Sequence, residues 1–220
     1  MPRYGDPNYW EERYREQDGT TFDWLETWDS LKPTISRLVG RGSNVLVLGC
    51  GNAEFSEDMY ADGYEHIWNV DTSETVIQQM SLRNSGKTEL HWEVMDVRDL
   101  KFPDETFDLA VDKATIDALL CGDAAYLNVA KMTREVQRVL KTGGHYLAVT
   151  YGDPETRLEH FERPHLAWTV SHEAIGAESD KTHYVYLCCK QEDAEEQSQH
   201  HWREVEEALA EDDFALLRGS

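Results

Sequence analysis

Cations are scarce in this sequence: 21 Lys and Arg stand against 43 Asp and Glu over 220 residues, a formal net charge of −22. A nucleic-acid backbone is repelled by such a field unless the few cations gather on one face. No Lys/Arg cluster does that, so DNA and RNA are not expected as partners. The same field attracts cationic protein surfaces and speeds encounter with them. Long apolar runs are missing too: nothing approaches the roughly 20 residues of a membrane span. The first residues, MPRYGDPNYWEERYREQD, carry charge from Arg3 onward and lack the apolar core of a secretory signal, so a soluble chain with no membrane partner is expected. Cysteine is sparse. Cys50, Cys121, Cys188 and Cys189 form no C-x-x-C pair, and the adjacent two should point to opposite faces of a strand, which suits a reduced, cytoplasmic compartment. What is present is a globular composition, 40% hydrophobic and 10% aromatic, at a length that buries a core without a metal or disulfide staple.

Apolar runs of strand length alternate with segments of helical period, the pattern of a parallel sheet with crossover helices. The expected strands are Asn44–Leu48, His66–Val70, Leu90–Met95, Phe107–Val111, His145–Thr150, Leu166–Val170 and His183–Cys189. The last two have no long helix between them and read as a terminal hairpin-like pair, antiparallel to the rest. Helices are expected over Ser73–Arg83 and Val129–Leu140, the second stopped by Lys141-Thr142-Gly143-Gly144. Residues 1–43 read as an aromatic lid with helices, 44–190 as the ligand-binding core, and 191–220 as an acidic closing segment. In that segment Gln191–Asp213 holds ten acidic residues against one arginine, while Trp202, Val205 and Leu209 recur at helical spacing.

The stretch Asn44–Phe55 is a buried strand entering a glycine turn and then a helix, the place where open α/β sheets bind ligands. Gly49 and Gly51 permit the turn and close approach of a ligand. A dinucleotide fingerprint wants a third small residue where Glu54 stands, and a carboxylate in that first turn opposes a pyrophosphate. Asp71 ends the second strand about twenty residues on, placed to accept both hydroxyls of an adenosine ribose or to cap the helix starting near Ser73. Asp96 ends the third strand, placed with the backbone of Val97 to receive an adenine. Two acids at successive strand tips, without a phosphate cradle, suit a cationic adenosine compound, and S-adenosylmethionine is one. Asn52 either contacts the amino-acid part of that cofactor or caps a helix. Aromatics crowd the first 28 residues, and Tyr9, Trp10, Tyr14, Phe22, Trp24 and Trp28 among them form a lid or cover one edge of the core.

The segments VLVLGCGNAEFS, NVDTS, WEVMDVRDLKFPDETFDLAVDKATIDALL and REVQRVLKTGGHYLAVTY resemble the class I, seven-stranded S-adenosylmethionine-dependent methyltransferases. Within them the chain is similar to the small methyltransferase-like lysine methyltransferases of translation elongation factor 1-alpha. The resemblance covers about Tyr9 to Lys190 and implies a Rossmann-like, mostly parallel sheet with an antiparallel last strand. It implies cofactor contacts from Trp10, Tyr14, Phe22, Gly49, Asp71, Thr72, Asp96, Val97 and Lys113. Where relatives carry Tyr, this chain has Phe22, so that contact is a ring contact alone.

Methyl transfer needs a nucleophile aligned with the methyl carbon, and an amine acceptor must first lose its proton. Asp112 and Asp117 are the candidate proton acceptors; Asp112 also suits the cofactor's ammonium, and Asp117 a helix cap or salt bridge. An Asn/Asp-Pro-Pro-aromatic motif for planar nitrogen acceptors is absent, Asp112-Lys-Ala-Thr standing in its place. The scattered histidines have no metal-ligand spacing, and no metal is expected. The sequence therefore points to a monomeric, cytoplasmic methyltransferase acting on a lysine of a basic protein, translation elongation factor 1-alpha by resemblance. The alternatives are a small-molecule acceptor and a non-catalytic acidic adaptor.

Overall fold

A computed structural model describes residues 3–17, 19–175 and 182–218, with side chains described as far as 211. Its elements run α1 (Pro7–Glu16), α2 (Trp28–Leu38), β1 (Val45–Leu48), α3 (Phe55–Ala61), β2 (Ile67–Asp71), α4 (Glu74–Arg83), β3 (Leu90–Val94) and β4 (Phe107–Lys113). They continue with α5 (Thr115–Leu120), α6 (Ala125–Val139), β5 (Leu140–Thr150), α7 (Pro154–Phe161), β6 (Trp168–Ile175), β7 (His183–Lys190) and α8 (Ala194–Arg218).

The seven strands form one sheet in the order β3-β2-β1-β4-β5-β7-β6. Pairings from β3 through β5 are parallel, and β7 lies antiparallel to both its neighbours. The expected antiparallel last strand is β7, but the expectation that both strands of the terminal pair oppose the rest is corrected. β7 alone is reversed, and β6 beyond it runs with β1–β5, because two successive antiparallel pairings restore the direction. Alternate residues of each strand feed opposite faces. Val45 and Val47 of β1 join the apolar layer under α2, α3 and α4, where Ile35, Met59 and Met80 pack. Leu46 and Leu48 join the layer under α5, α6 and α7, with Ile116, Met132, Val136 and Phe161. Tyr14, Trp28 and Leu31 belong to the first of these layers, so the N-terminal helices share the core of the sheet.

Two expected boundaries move. Lys141–Gly144 does not separate helix from strand: Leu140 already pairs with Phe107, and the next pairing is Leu109 with His145, so those four residues bulge out of β5 with Gly143 at φ +77°. The ladder of β4 also continues past Val111 to Lys113, which buries Asp112 between Leu48 and Ala148. The acidic segment forms the helix expected of it, with Val205 and Leu209 packed against Ala130 of α6. Cys188 faces the core and Cys189 the other side, and all four cysteines are free.

Candidate functional site

The crossovers after β1 lead toward β3, whereas β4 leads toward β5. The sheet therefore switches winding between β1 and β4, where open α/β sheets form a ligand crevice. A cavity of about 320 Å³ opens there, spanning the strand tips from β3 to β5. Its floor is the glycine turn. Gly49 and Gly51 have φ +56° and +51°; a Cβ on Gly49 would sit 2.2 Å from Thr115 Oγ1, and one on Gly51 2.6 Å from the Tyr14 hydroxyl. Gly49 faces the cavity, and Gly51 supports it from behind.

Asp71 lines the cavity and is 8% exposed. Its Oδ2 accepts the Gly51 N–H and its Oδ1 the Ser73 N–H, both at 3.0 Å, while burial pushes its carboxyl up. The cap of α4 is Ser73, whose Oγ accepts the Val76 N–H at 3.2 Å. Asp71 thus ties the glycine turn to the start of α4 and keeps lone pairs for a ligand, with Thr72 beside it on the wall. Asp96 and Val97 line the far end of the cavity. Arg98 forks onto Asp96, Nε at 2.9 and 3.1 Å and Nη2 at 2.6 Å, and its backbone N–H adds a 2.9 Å bond. Three donor groups of Arg98 thus face Asp96, with Nε shared between both oxygens, which leaves about one lone-pair site of roughly four. Burial raises its carboxyl, but the bonds from Arg98 outweigh this and leave it below the usual range.

The opposite wall is aromatic. Tyr4, Trp10, Tyr14 and Trp24 line it, with Trp10 stacked between Tyr4 and Tyr14 at centroid distances of 5.6 and 6.1 Å. Phe22 is 45% exposed and does not line the cavity. It packs edge-on against Trp24, and the Arg13 guanidinium lies over Trp10, Phe22 and Trp24. Glu11 latches α1 to α4, accepting from Ser73 Oγ (2.6 Å), Thr75 Oγ1 (2.5 Å) and Thr75 N (3.2 Å), which lowers its carboxyl to about 2. Asn52 is likewise turned from the cavity, donating to Gln17 Oε1 at 3.0 Å and Thr20 O at 2.8 Å. Lys113 lines the cavity, but its ammonium is committed to Asp23 and to the Glu26 carbonyl. Burial holds it below the usual lysine range.

The two candidate proton acceptors part company. Asp112 is fully buried and does not line the cavity. Its carboxylate accepts the Thr115 and Ile116 N–H groups at 2.7 and 3.1 Å and the Tyr146 hydroxyl at 3.0 Å, starting α5, and burial pushes it up to about 7. The expectation that it sits beside the reacting groups is corrected: β4 extends two residues further than its apolar run and carries Asp112 into the sheet. Asp117, one turn into α5, does line the cavity. Residues that sequence reasoning passed over complete the walls: Tyr4, Arg98, Thr115, Asn128 and Tyr151. Ala114, at φ +67°, turns the chain there against the preference of a side-chain-bearing residue. Among the described residues, no group of three His, Cys, Asp or Glu is placed to hold a metal ion.

Comparison with known proteins gives this geometry a family. A family model for a methyltransferase domain matches residues 46–148. The eEF1A lysine and N-terminal methyltransferase of Mus musculus is 35% identical over 184 residues, 81% of this chain; the chain spans about a quarter (26%) of that relative's length. EEF1A lysine methyltransferase 4 of Mus musculus is 31% identical over 179 residues, 77% of this chain and 70% of the relative. The fold is shared with a 1,6-didemethyltoxoflavin-N1-methyltransferase from Burkholderia thailandensis, solved with S-adenosylhomocysteine. Its TM-score is 0.60 at 13% identity, covering 82% of each chain. With a seven-stranded sheet of this winding, a glycine turn at its switch point and a relative matched along most of both lengths, the chain belongs to the S-adenosylmethionine-dependent methyltransferase family that includes EEF1A lysine methyltransferase 4.

Proposed function

We propose that this protein transfers a methyl group from S-adenosylmethionine to a lysine side chain of a protein, translation elongation factor eEF1A being the acceptor that its relatives' names specify. The observation that carries the reading is the division of the cavity: acids Asp71 and Asp96 at the tips of β2 and β3, and a separate acid, Asp117, beside the tips of β4 and β5. The residues fit the cofactor. Gly49 leaves room that a Cβ would fill, and Asp71 offers a buried carboxylate for ribose hydroxyls. Thr72, the Val97 backbone and the remaining lone pair of Asp96 would hold the nucleoside, and Trp10 and Tyr14 would cover it. When bound, S-adenosylmethionine supplies an electrophilic methyl on a cationic sulfur. The protein's own work is then to align the acceptor nitrogen about 3 Å from that carbon, exclude water with the aromatic wall, and let the amine shed its proton.

The net charge of −22 supports a basic acceptor surface by drawing it in. Four free thiols support a cytoplasmic, reduced setting, and the packing of α8 through Val205 and Leu209 onto α6 of the same chain supports a monomer. Incubation with labelled S-adenosylmethionine and purified eEF1A, followed by mass mapping, should place label on a lysine. Label appearing only in the small-molecule fraction of a whole-cell extract would overturn the acceptor assignment.

A further inference from the structure

The cavity wall at β4 and β5 carries an arrangement that a nucleoside-binding role leaves unused. Asp117 Oδ1 accepts from Thr150 Oγ1 and from Arg157 Nη2, both at 2.7 Å. Its Oδ2 is buried and has no hydrogen-bond partner. The clamp on Oδ1 has only one possible sense. Thr150 Oγ1 gives its hydrogen to Asp117 and takes the Arg157 Nε and Gly152 N–H groups, each at 3.1 Å, so its donor and both lone pairs are used. Gly152 is what lets Arg157 reach across from α7, since a Cβ there would lie 2.3 Å from the guanidinium. The Tyr186 hydroxyl pins the same turn through the Gly152 carbonyl at 2.9 Å. Residues from β5, α7 and β7 thus converge to fix one oxygen of one carboxylate.

A buried carboxylate oxygen left unpaired is costly, and a cationic donor arriving through the cavity relieves that cost. Tyr151, 50% exposed, lines the same cavity and offers an aromatic ring to such a cation. Its ring stands edge-on against His183, which is held in turn by Glu26 at 2.9 Å. We propose that Oδ2 of Asp117 is the seat of the acceptor's ammonium group, and that Arg157 is the positioning residue that turns this oxygen toward it. The site then selects a primary alkylamine, a lysine side chain, over neutral or anionic acceptors. This rests on the methyltransferase reading above.

Sinefungin tests it, because this cofactor analogue carries an amino group where the transferable methyl would be, whereas S-adenosylhomocysteine carries nothing there. Calorimetry on the full chain should find that Asp117→Asn weakens sinefungin by about tenfold, the equivalent of one charge-assisted hydrogen bond, and leaves S-adenosylhomocysteine within about twofold. Arg157→Met should produce the same selective loss, and Arg157→Lys should recover part of it, with melting temperatures reporting that each variant is folded. With eEF1A as acceptor, the Arg157 series should move KM for the protein and leave KM for S-adenosylmethionine unchanged. Equal loss of both analogues, or no loss of either, overturns the assignment of Asp117 and Arg157. Failure of the unaltered protein to bind S-adenosylhomocysteine overturns instead the reading on which the proposal rests.

Discussion

Replacing Asp71 with Ala separates its two duties by magnitude. The carboxylate is 8% exposed and accepts the Gly51 and Ser73 N–H groups at 3.0 Å each, so its removal strands two backbone donors. Each buried donor without a partner costs about 1–3 kcal/mol, but the variant also sheds the penalty of burying the carboxylate, the main reason its carboxyl is raised. A net stability loss of about 1–3 kcal/mol follows, which for a chain of this size is a fall in Tm of roughly 2–12 °C. Affinity for S-adenosylhomocysteine should drop by a further 1–3 kcal/mol, about 5- to 150-fold, because ribose hydroxyls lose a charged acceptor. Calorimetry well below the variant's Tm measures the second quantity free of the first. A lowered Tm with an affinity changed by less than about twofold would refute the ribose role and leave Asp71 as a strut between the glycine turn and α4.

Three further outcomes are expected. Asp112 is raised from its unfolded value of 3.8 to about 7, so the folded state holds its proton more tightly and its stabilising contribution is complete below about pH 4 and lost as pH rises through 7. That amounts to about 2–4 kcal/mol of slope between pH 4 and 8, which denaturant titrations should show flattened in Asp112→Asn; an unchanged slope rejects the assignment. Glu11 has the opposite sign. Its folded value near 2 makes the latch on α1 fully stabilising above its unfolded value of 4.5 and lost as pH falls toward 2. At neutral pH, Glu11→Gln should speed hydrogen exchange in residues 7–16 by an amount equivalent to about 1–2 kcal/mol, given a partly exposed side chain, and leave α6 unchanged. Gly49→Ala should destabilise by about 2–4 kcal/mol, from positive φ together with a Cβ 2.2 Å from Thr115 Oγ1. Pairing it with Thr115→Ala should recover only the steric part, and full recovery would show that φ carries no cost.

The centre of the sheet was legible because β1 and β4 are buried on both faces and therefore read as largely apolar runs. The glycine turn and the acid at the end of β2 were legible for a related reason: both are local, and chain connectivity alone puts them at one edge of the sheet. What escaped depends on partners distant in sequence. Nothing near Asp117 announces Arg157, which arrives forty residues later only because α7 folds back over the end of β5. Arg98 lay beside Asp96 in plain view, yet its fork onto that carboxylate depends on a side-chain path that spacing does not specify. The resemblance implied a cofactor contact from Phe22, whereas the ring that lines the wall is Trp24 and Phe22 packs outside it.

The two acids after β4 show how little separates a buried group from a reactive one. Apolar character ends at Val111, and a strand ended there would leave Asp112 at its tip, facing the cavity. Hydrogen bonding continues for two more residues because β1 and β5 flank β4 and both extend far enough to pair, Leu48 and Ala148 standing opposite Asp112. Once enclosed, that carboxylate finds its partners in the N–H groups of the next helix and becomes the point from which α5 starts. Five residues on, Asp117 emerges on the cavity wall, directed by the helix that Asp112 anchors. The acids assigned to the nucleoside sit on the β2 and β3 side of the switch point, and the acid assigned to the acceptor on the β4 and β5 side. Substitutions at Asp71 and at Asp117 should therefore act additively, each on its own ligand, because no hydrogen bond joins the two groups.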